Sequence, residues 1–358
     1  MIIKCEERIK RCHTELLHVS MLPDDSIDLQ LLKNICAGRG LDINISYLSR
    51  RIGKHKHTIR NRVRMLLSHR IIDRPVFPFI GLFNEYPLLV VSYADLPYDD
   101  KILNWLKEDK NVFAAYRARE GESNMVIFEF HKDVWDYHLW REGIAADGKI
   151  PERGKRSPAN NYYFSNRAIF KYEPSVGIQL IEEEFRKEGK VKMDSYILDA
   201  VALEVLKLLV QGEGIRVNEN LLAKELGVSR KTGLNKIAKL QERGLILKPL
   251  CRFPHFFVPP NFLLILSMIE VRGSKEKILQ DILQDPHVSL AYHISEGRYN
   301  LLLFECHKNF EDYLNWEGRY TDRYPGCFGS IKITILSPRM TILIDQQKVS
   351  LGLSLIHI

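Results

Sequence analysis

Two stretches of this chain say nearly the same thing 176 residues apart: EGESNMVIFEFHKD at 120–133 and EGRYNLLLFECHKN at 296–309. Both keep Glu-Gly, an Asn (Asn124 and Asn300), an apolar run, Phe-Glu and His-Lys. Upstream, a shift of 174 lays NISYLSRRIGKHKHTIRNRVRMLLSHRII over NENLLAKELGVSRKTGLNKIAKLQERGLI. It matches Asn44 with Asn218, Gly53 with Gly227, Thr58 with Thr232 and Asn61 with Asn235. Downstream, Ala115-Tyr116 matches Ala291-Tyr292, Asp136-Tyr137 matches Asp312-Tyr313, and Trp140 matches Trp316. Near the end, SNRAIF from Ser165 resembles SPRMTI from Ser337. Solenoid repeats run about 20–50 residues, so a period this long means a duplicated domain pair. The units are expected near 24–174 and 195–346, joined by a charged helix over 175–194.

The first half of each unit reads as helical. Leu31, Leu32 and Ile35 form one apolar stripe, Ile45, Leu48 and Ile52 a second ended by Gly53, and Ile59, Val63, Leu66 and Leu67 a third. These spacings are helical, and the order is that of a helix-turn-helix. Val205 and Leu209, then Leu222 and Leu226 with Gly227, then Ile237 and Leu240 repeat it. Ser229 is a good N-cap for the last helix, and His55 takes its place in unit 1 as a poorer one. RIIDRPVFPFI and GLILKPLCRFPHFFV follow, suited to short strands of a wing.

The second half alternates strand and helix. PLLVVSYADL, VFAAYRARE, NMVIFEFH and RAIFKYEP read as strands, with YDDKILNWLKED and DVWDYHLWREG as helices, and unit 2 repeats the order. The order βαββαβ is that of the ferredoxin-like plait. The expected class is α+β, in two tandem units of winged helix-turn-helix followed by a ferredoxin-like domain. The expected segments are an N-terminal helix (1–23), winged helix 1 (24–80), α/β domain 1 (81–174), connecting helix (175–194), winged helix 2 (195–258), α/β domain 2 (259–346) and a tail (347–358).

Net charge is only +7, but it is concentrated. Residues 50–74 carry nine Lys/Arg against one Asp, and residues 224–248 carry seven against two Glu. Lys56, His57, Thr58, Arg60, Asn61 and Arg64 lie off the apolar stripe of the third helix. Ser229, Arg230, Lys231, Thr232, Asn235, Lys236 and Lys239 repeat them in unit 2. Arg and Lys neutralise phosphates or read guanine, and Asn can pair with adenine, so double-stranded DNA is the expected partner. Gly233 stands where Ile59 stands in unit 1; an internal Gly costs a helix about 1 kcal/mol.

A winged helix-turn-helix followed by βαββαβ, with the hairpins EGESNMVIF and EGRYNLLLF, resembles the leucine-responsive regulatory protein/AsnC family of transcriptional regulators. The likeness covers most of the chain, twice. Family members usually carry one copy and dimerise through the α/β domain, so it implies an internal pseudo-dimer, with further homo-oligomers allowed. It also implies a small-molecule effector near Gly121, Asn124, Gly297 and Asn300, although the family's acidic residue is Asn in both copies. Sirohaem decarboxylases share this architecture, and their hairpin resembles Arg-Glu-His-x-Tyr-Asn-Leu-Trp-Phe. Arg119, Glu120 and Asn124 keep that pattern, but Gly121 replaces the His and Ser123 the Tyr; Ser295 and Gly297 replace the Arg and His of the second copy, where Tyr299 is kept. The resemblances thus set a DNA-binding regulator first, a decarboxylase-like enzyme second, and a scaffold without DNA contact third.

No nucleophile elbow, P-loop or zinc-protease motif occurs. His131 with Glu129, and His307 with Glu305, lack a third ligand at recognisable spacing, so no metal and no cofactor are expected. The six cysteines form no C-x-x-C pair, which predicts free thiols. The reading is of a cytoplasmic chain without signal peptide or membrane span. The ending LGLSLIHI adds an apolar run beyond the second unit and is expected to be non-native.

Overall fold

A computed structural model describes residues 26–120, 123–149, 160–193, 195–273, 275–294, 297–336 and 338–345. The expected N-terminal helix and the tail lie outside the described residues. The first unit opens with α1 (Ser26–Cys36), β1 (Leu41–Ile43), α2 (Ile45–Ile52), α3 (Lys56–Ser68) and the single turn α4 (Leu82–Glu85). Its α/β half runs β2 (Leu88–Ala94), α5 (Asp100–Glu108), β3 (Val112–Glu120), β4 (Ser123–His131), α6 (Val134–Ala146), β5 (Asn160–Ser165) and β6 (Ile169–Tyr172). The connecting helix α7 (Gly177–Glu188) and a hairpin of β7 (Val191–Met193) and β8 (Tyr196–Leu198) follow. The second unit runs α8 (Ala200–Val210), β9 (Ile215–Val217), α9 (Glu219–Leu226), α10 (Arg230–Glu242), β10 (Leu263–Val271), α11 (Lys275–Gln284), β11 (Val288–His293), β12 (Leu301–His307), α12 (Phe310–Arg323), β13 (Phe328–Leu336) and β14 (Thr341–Ile344).

The helix-turn-helix chemistry is where the sequence puts it. Asn44 and Asn218 cap α2 and α9 by accepting from the backbone N–H of Tyr47 (3.0 Å) and Leu221 (3.2 Å). Gly53 and Gly227 end those helices in the left-handed region. Ser229 caps α10 through the N–H of Thr232 at 3.1 Å, and His55 caps α3 through Nδ1.

The two units are interlaced. Helix α1 packs on α9 and α10 of the second unit, and α8 packs on α2 and α3 of the first. Each exchange is pinned by an ion pair from an equivalent cation, Lys236 to Asp28 (2.7 Å) and Arg62 to Asp199, although the two acids stand at different places. Strands β1 and β9 pair antiparallel between the units. The N–H of Asn44 donates to Gly214 O and that of Asn218 to Gly40 O, both at 2.7 Å. Gly40 and Gly214 have positive φ, and a Cβ on either would lie within 2.6 Å of Leu222 or Leu48 of the other unit. The wing segments also pair with each other, through bridges Val76–Leu250 and Phe79–Ile246.

Exchange extends to the sheets, whose orders are β14-β3-β4-β2-β5 and β13-β10-β12-β11-β6. Each has the ferredoxin-like order of four strands plus one edge strand donated by the other unit. RAIFKYEP is therefore not the fourth strand of its own unit, as the sequence suggested: NNYYFS takes that place as β5, and β6 crosses over. Along β4 and β12, alternate residues face opposite ways, which puts Phe128 and Phe304 between the sheets and Ile127 and Leu303 under the helices. Phe128 and Phe304, at matching places, meet at 5.8 Å between ring centroids, with Phe256 against both. No helix of the described residues is long and apolar enough to cross a membrane. Cys36, Cys251, Cys306 and Cys327 are free thiols.

Candidate functional site

Helices α3 and α10 present the residues expected to face DNA. Lys56, His57, Arg60 and Arg64 are exposed, and Thr58 and Asn61 are half-buried. Asn61 is held between His57 (3.0 Å) and Arg64. On α10, Ser229, Arg230, Lys231, Thr232, Asn235 and Lys239 are exposed, while Lys236 is committed to Asp28. Gly233 and Ile59 are both buried, as their alignment requires.

The two hairpin asparagines bond to backbone. Asn124 accepts from Leu96 N (3.1 Å) and donates to Leu96 O (2.8 Å); Asn300 does the same with Val271 (2.8 and 2.9 Å). Each amide clamps the end of a neighbouring strand, so a ligand here would meet a side chain already bonded to backbone. Gly297 has φ +98°, and Gly121 lies outside the described residues.

A large cleft lies elsewhere. A cleft of about 1760 Å³ separates α3 and the segment after it from residues 252–263 and from β14 with the turn before it. Drug-sized ligands use about 300–1,000 Å³, so this space suits a larger molecule. Six arginines line it (Arg60, Arg64, Arg70, Arg74, Arg252 and Arg339) against two aspartates, Asp73 and Asp345. Val63, Leu67, Ile72, Phe262, Ile342 and Ile344 give it apolar walls. Burial pushes the Asp73 carboxyl up, opposed by Arg252 and Arg70. Two imidazoles reach it. His255, pushed down by burial, has Nδ1 3.3 Å from Thr341 Oγ1; His69 has Nδ1 3.0 Å from Ser195 Oγ and stacks on Tyr196. Arg60 and Arg64 belong both to the basic face of α3 and to the cleft. Charge along the chain marks those two, whereas the cleft is built from three distant segments and has no linear signature.

No protein-family model matches the sequence, and no curated protein matches it. Solved structures do match the fold. The sirohaem decarboxylase NirDL covers 93% of this chain and 99% of its own length at 12% identity, with a TM-score of 0.50. The same protein in complex with an iron-uroporphyrin III analogue gives 13% identity, the same coverage and 0.49. AsnC of E. coli covers 45% of this chain and 89% of its own length at 16% identity, with a TM-score of 0.29. At these identities the likeness concerns fold. The chain has the architecture of the Lrp/AsnC fold in tandem, two winged helix-turn-helix and ferredoxin-like units in one polypeptide.

Proposed function

We propose that the cleft binds a tetrapyrrole bearing several carboxylates and that the chain acts as a sirohaem-decarboxylase-like enzyme. The observation that supports this is six guanidinium groups around one large, partly apolar cleft. Guanidinium forks match carboxylates two bonds at a time, and apolar walls suit the faces of a macrocycle. Loss of carbon dioxide leaves an electron pair on carbon that must take a proton. His69 is the candidate donor, and His255, held toward its neutral form by burial, is suited to bind the metal of a metallated ring. The full-length tandem fold of NirDL agrees with this reading, while Gly121 and Gly297, at the place of that enzyme class's hairpin His, require the acid to come from another wall.

Titrating untagged protein with iron-uroporphyrin III and following its visible absorbance tests binding; mass spectrometry of the pigment after incubation tests loss of carbon dioxide. Each of Arg64→Gln and Arg74→Gln removes a hydrogen bond between charged groups worth about 1.5–3 kcal/mol, or roughly 10-fold or more in affinity. No saturable change, or equal binding by both variants, overturns the reading.

A second reading, a DNA-binding regulator, is favoured by the exposed basic faces of α3 and α10. Its test is the salt dependence of binding to random duplexes, with Arg60, Arg64, Arg230 and Lys231 changed to Ala. A steep dependence that flattens in the variant supports it.

A further inference from the structure

We propose that the second α/β domain holds one divalent transition-metal ion of the zinc class between His287 Nε2, His307 Nδ1 and Asp312 Oδ2. The three ligand atoms lie within 4.8 Å of one another, and each imidazole nitrogen is 3.7 Å from Asp312 Oδ2. The rings stack 4.9 Å apart at 20°, so both aim past the same carboxylate. Zinc holds nitrogen and oxygen at about 2.0–2.2 Å, which puts tetrahedral ligands a little over 3 Å apart. A contraction of a few tenths of an ångström on each of the two Asp312 contacts brings them to that spacing, and the two ring nitrogens, within 4.8 Å, close further by rotation of the imidazoles.

The outer partners are already in place. A metal-binding imidazole characteristically donates its other N–H to a carboxylate, which fixes its tautomer. His287 Nδ1 lies 3.0 Å from Asp285 Oδ1, and His307 Nε2 lies 3.0 Å from Glu305 Oε2. Asp285 is in turn held by Trp316 Nε1 (2.7 Å) and the Tyr320 hydroxyl (2.9 Å). That leaves Nε2 of one ring and Nδ1 of the other facing Asp312. His307 is fully buried, and its Nδ1 has no hydrogen-bond partner among the described residues. Buried polar atoms left so are uncommon and costly, and an ion would satisfy this one. Asp312 is about one-third exposed at 34%, which gives an ion a path in and leaves room for water as a fourth ligand.

The first unit supplies the control. Glu129, His131 and Asp136 repeat Glu305, His307 and Asp312, but Asn111 stands where His287 stands. Its amide lies 3.2 Å from His131 Nδ1 and meets that nitrogen's need. The same fold thus closes the position with an amide in one copy and leaves it to a second imidazole in the other. The sequence hid this site because two of its three ligands, His287 and Asp312, come from the turn before β11 and from α12.

The experiment uses untagged full-length protein, stripped with chelator and titrated with Co2+, with Zn2+ as competitor and elemental analysis for stoichiometry. One saturable Co2+ absorption band displaced by one Zn2+ per chain is expected. His287→Asn installs the first unit's own solution and should keep the fold by circular dichroism. It should weaken binding by more than the roughly 10–100-fold that loss of an outer partner costs. Asn111→His should raise the stoichiometry toward two. No saturable band, or unchanged affinity in His287→Asn, overturns the proposal. Neither variant alters a residue of the arginine cleft, so this result and the pigment result can differ.

Discussion

Lys171 offers a test of the strand exchange that is read in pH. It sits on β6, donated by the first unit, opposite Ala291 of the second. The residue is buried, and its ammonium donates to the backbone carbonyls of Ile282 (2.9 Å) and Asp285 (2.6 Å), at the C-terminal end of α11. A cation is favoured there by the helix dipole, yet burial wins and pulls the ammonium down to about 8, with Asp285 and then Glu173 pulling the other way. Leu343 holds the matching place on β14, opposite Ala115, so Lys171→Leu adopts what the other copy already uses. Below about pH 8 the folded and unfolded chains both hold this proton, and the contribution is flat. Between there and the ordinary ammonium value of about 10.4, only the unfolded chain holds it, so stability rises with pH. The whole window is worth about 3 kcal/mol at 1.36 kcal/mol per unit, and about 2 kcal/mol of it falls between roughly pH 7.5 and pH 10. Urea unfolding of both chains at those two pH values isolates it, since every other group cancels in the difference. The wild-type chain should gain on the variant by that amount. Parallel stability curves would refute the placement of this amine in the sister domain.

Three further outcomes are expected. Gly233 is buried in α10, yet a Cβ there meets nothing within 4 Å, so Gly233→Ala should raise stability by about 1 kcal/mol in thermal unfolding; a loss would mean the space is filled. Phe304→Ala, removing a fully buried ring from between the sheets, should cost about 3–5 kcal/mol by chemical denaturation, and a cost under about 1 would contradict its packing. A protease site placed in the turn between β7 and β8 and then cut should leave fragments that comigrate in gel filtration; separated fragments would rule out the interlacing.

Much of the fold was legible because the copies corroborate each other. The Asn caps, the Gly turns and the apolar stripes of α2, α3, α9 and α10 are local, and local patterns survive reading in one dimension. Partner choice is not local. A strand such as Ile169–Tyr172 has the same alternation whether it pairs at home or in the sister sheet, so the crossing was invisible. NNYYFS is rich in Asn and Tyr and lacks an apolar run, so nothing local marks it as the strand that fills the fourth place. The basic helices are legible from charge alone. The cleft they help to line needs α3, the loop after α10 and β14 to meet, and only the tertiary structure brings these together. Asn124 and Asn300 bond the backbone of Leu96 and Val271, a use that residue identity alone does not distinguish from ligand binding.

The donated strand β14 also bears on how the chain is made. Backbone groups of Ala114 on β3 pair with Ile344, so the first sheet keeps an open edge until nearly all of the second unit has been synthesised. At about 5–20 residues per second, translation leaves that edge waiting for some tens of seconds. An unpaired β-edge is a template for joining other chains. During synthesis, the first half of this protein is therefore an unfinished domain, dependent on residues the ribosome has yet to add.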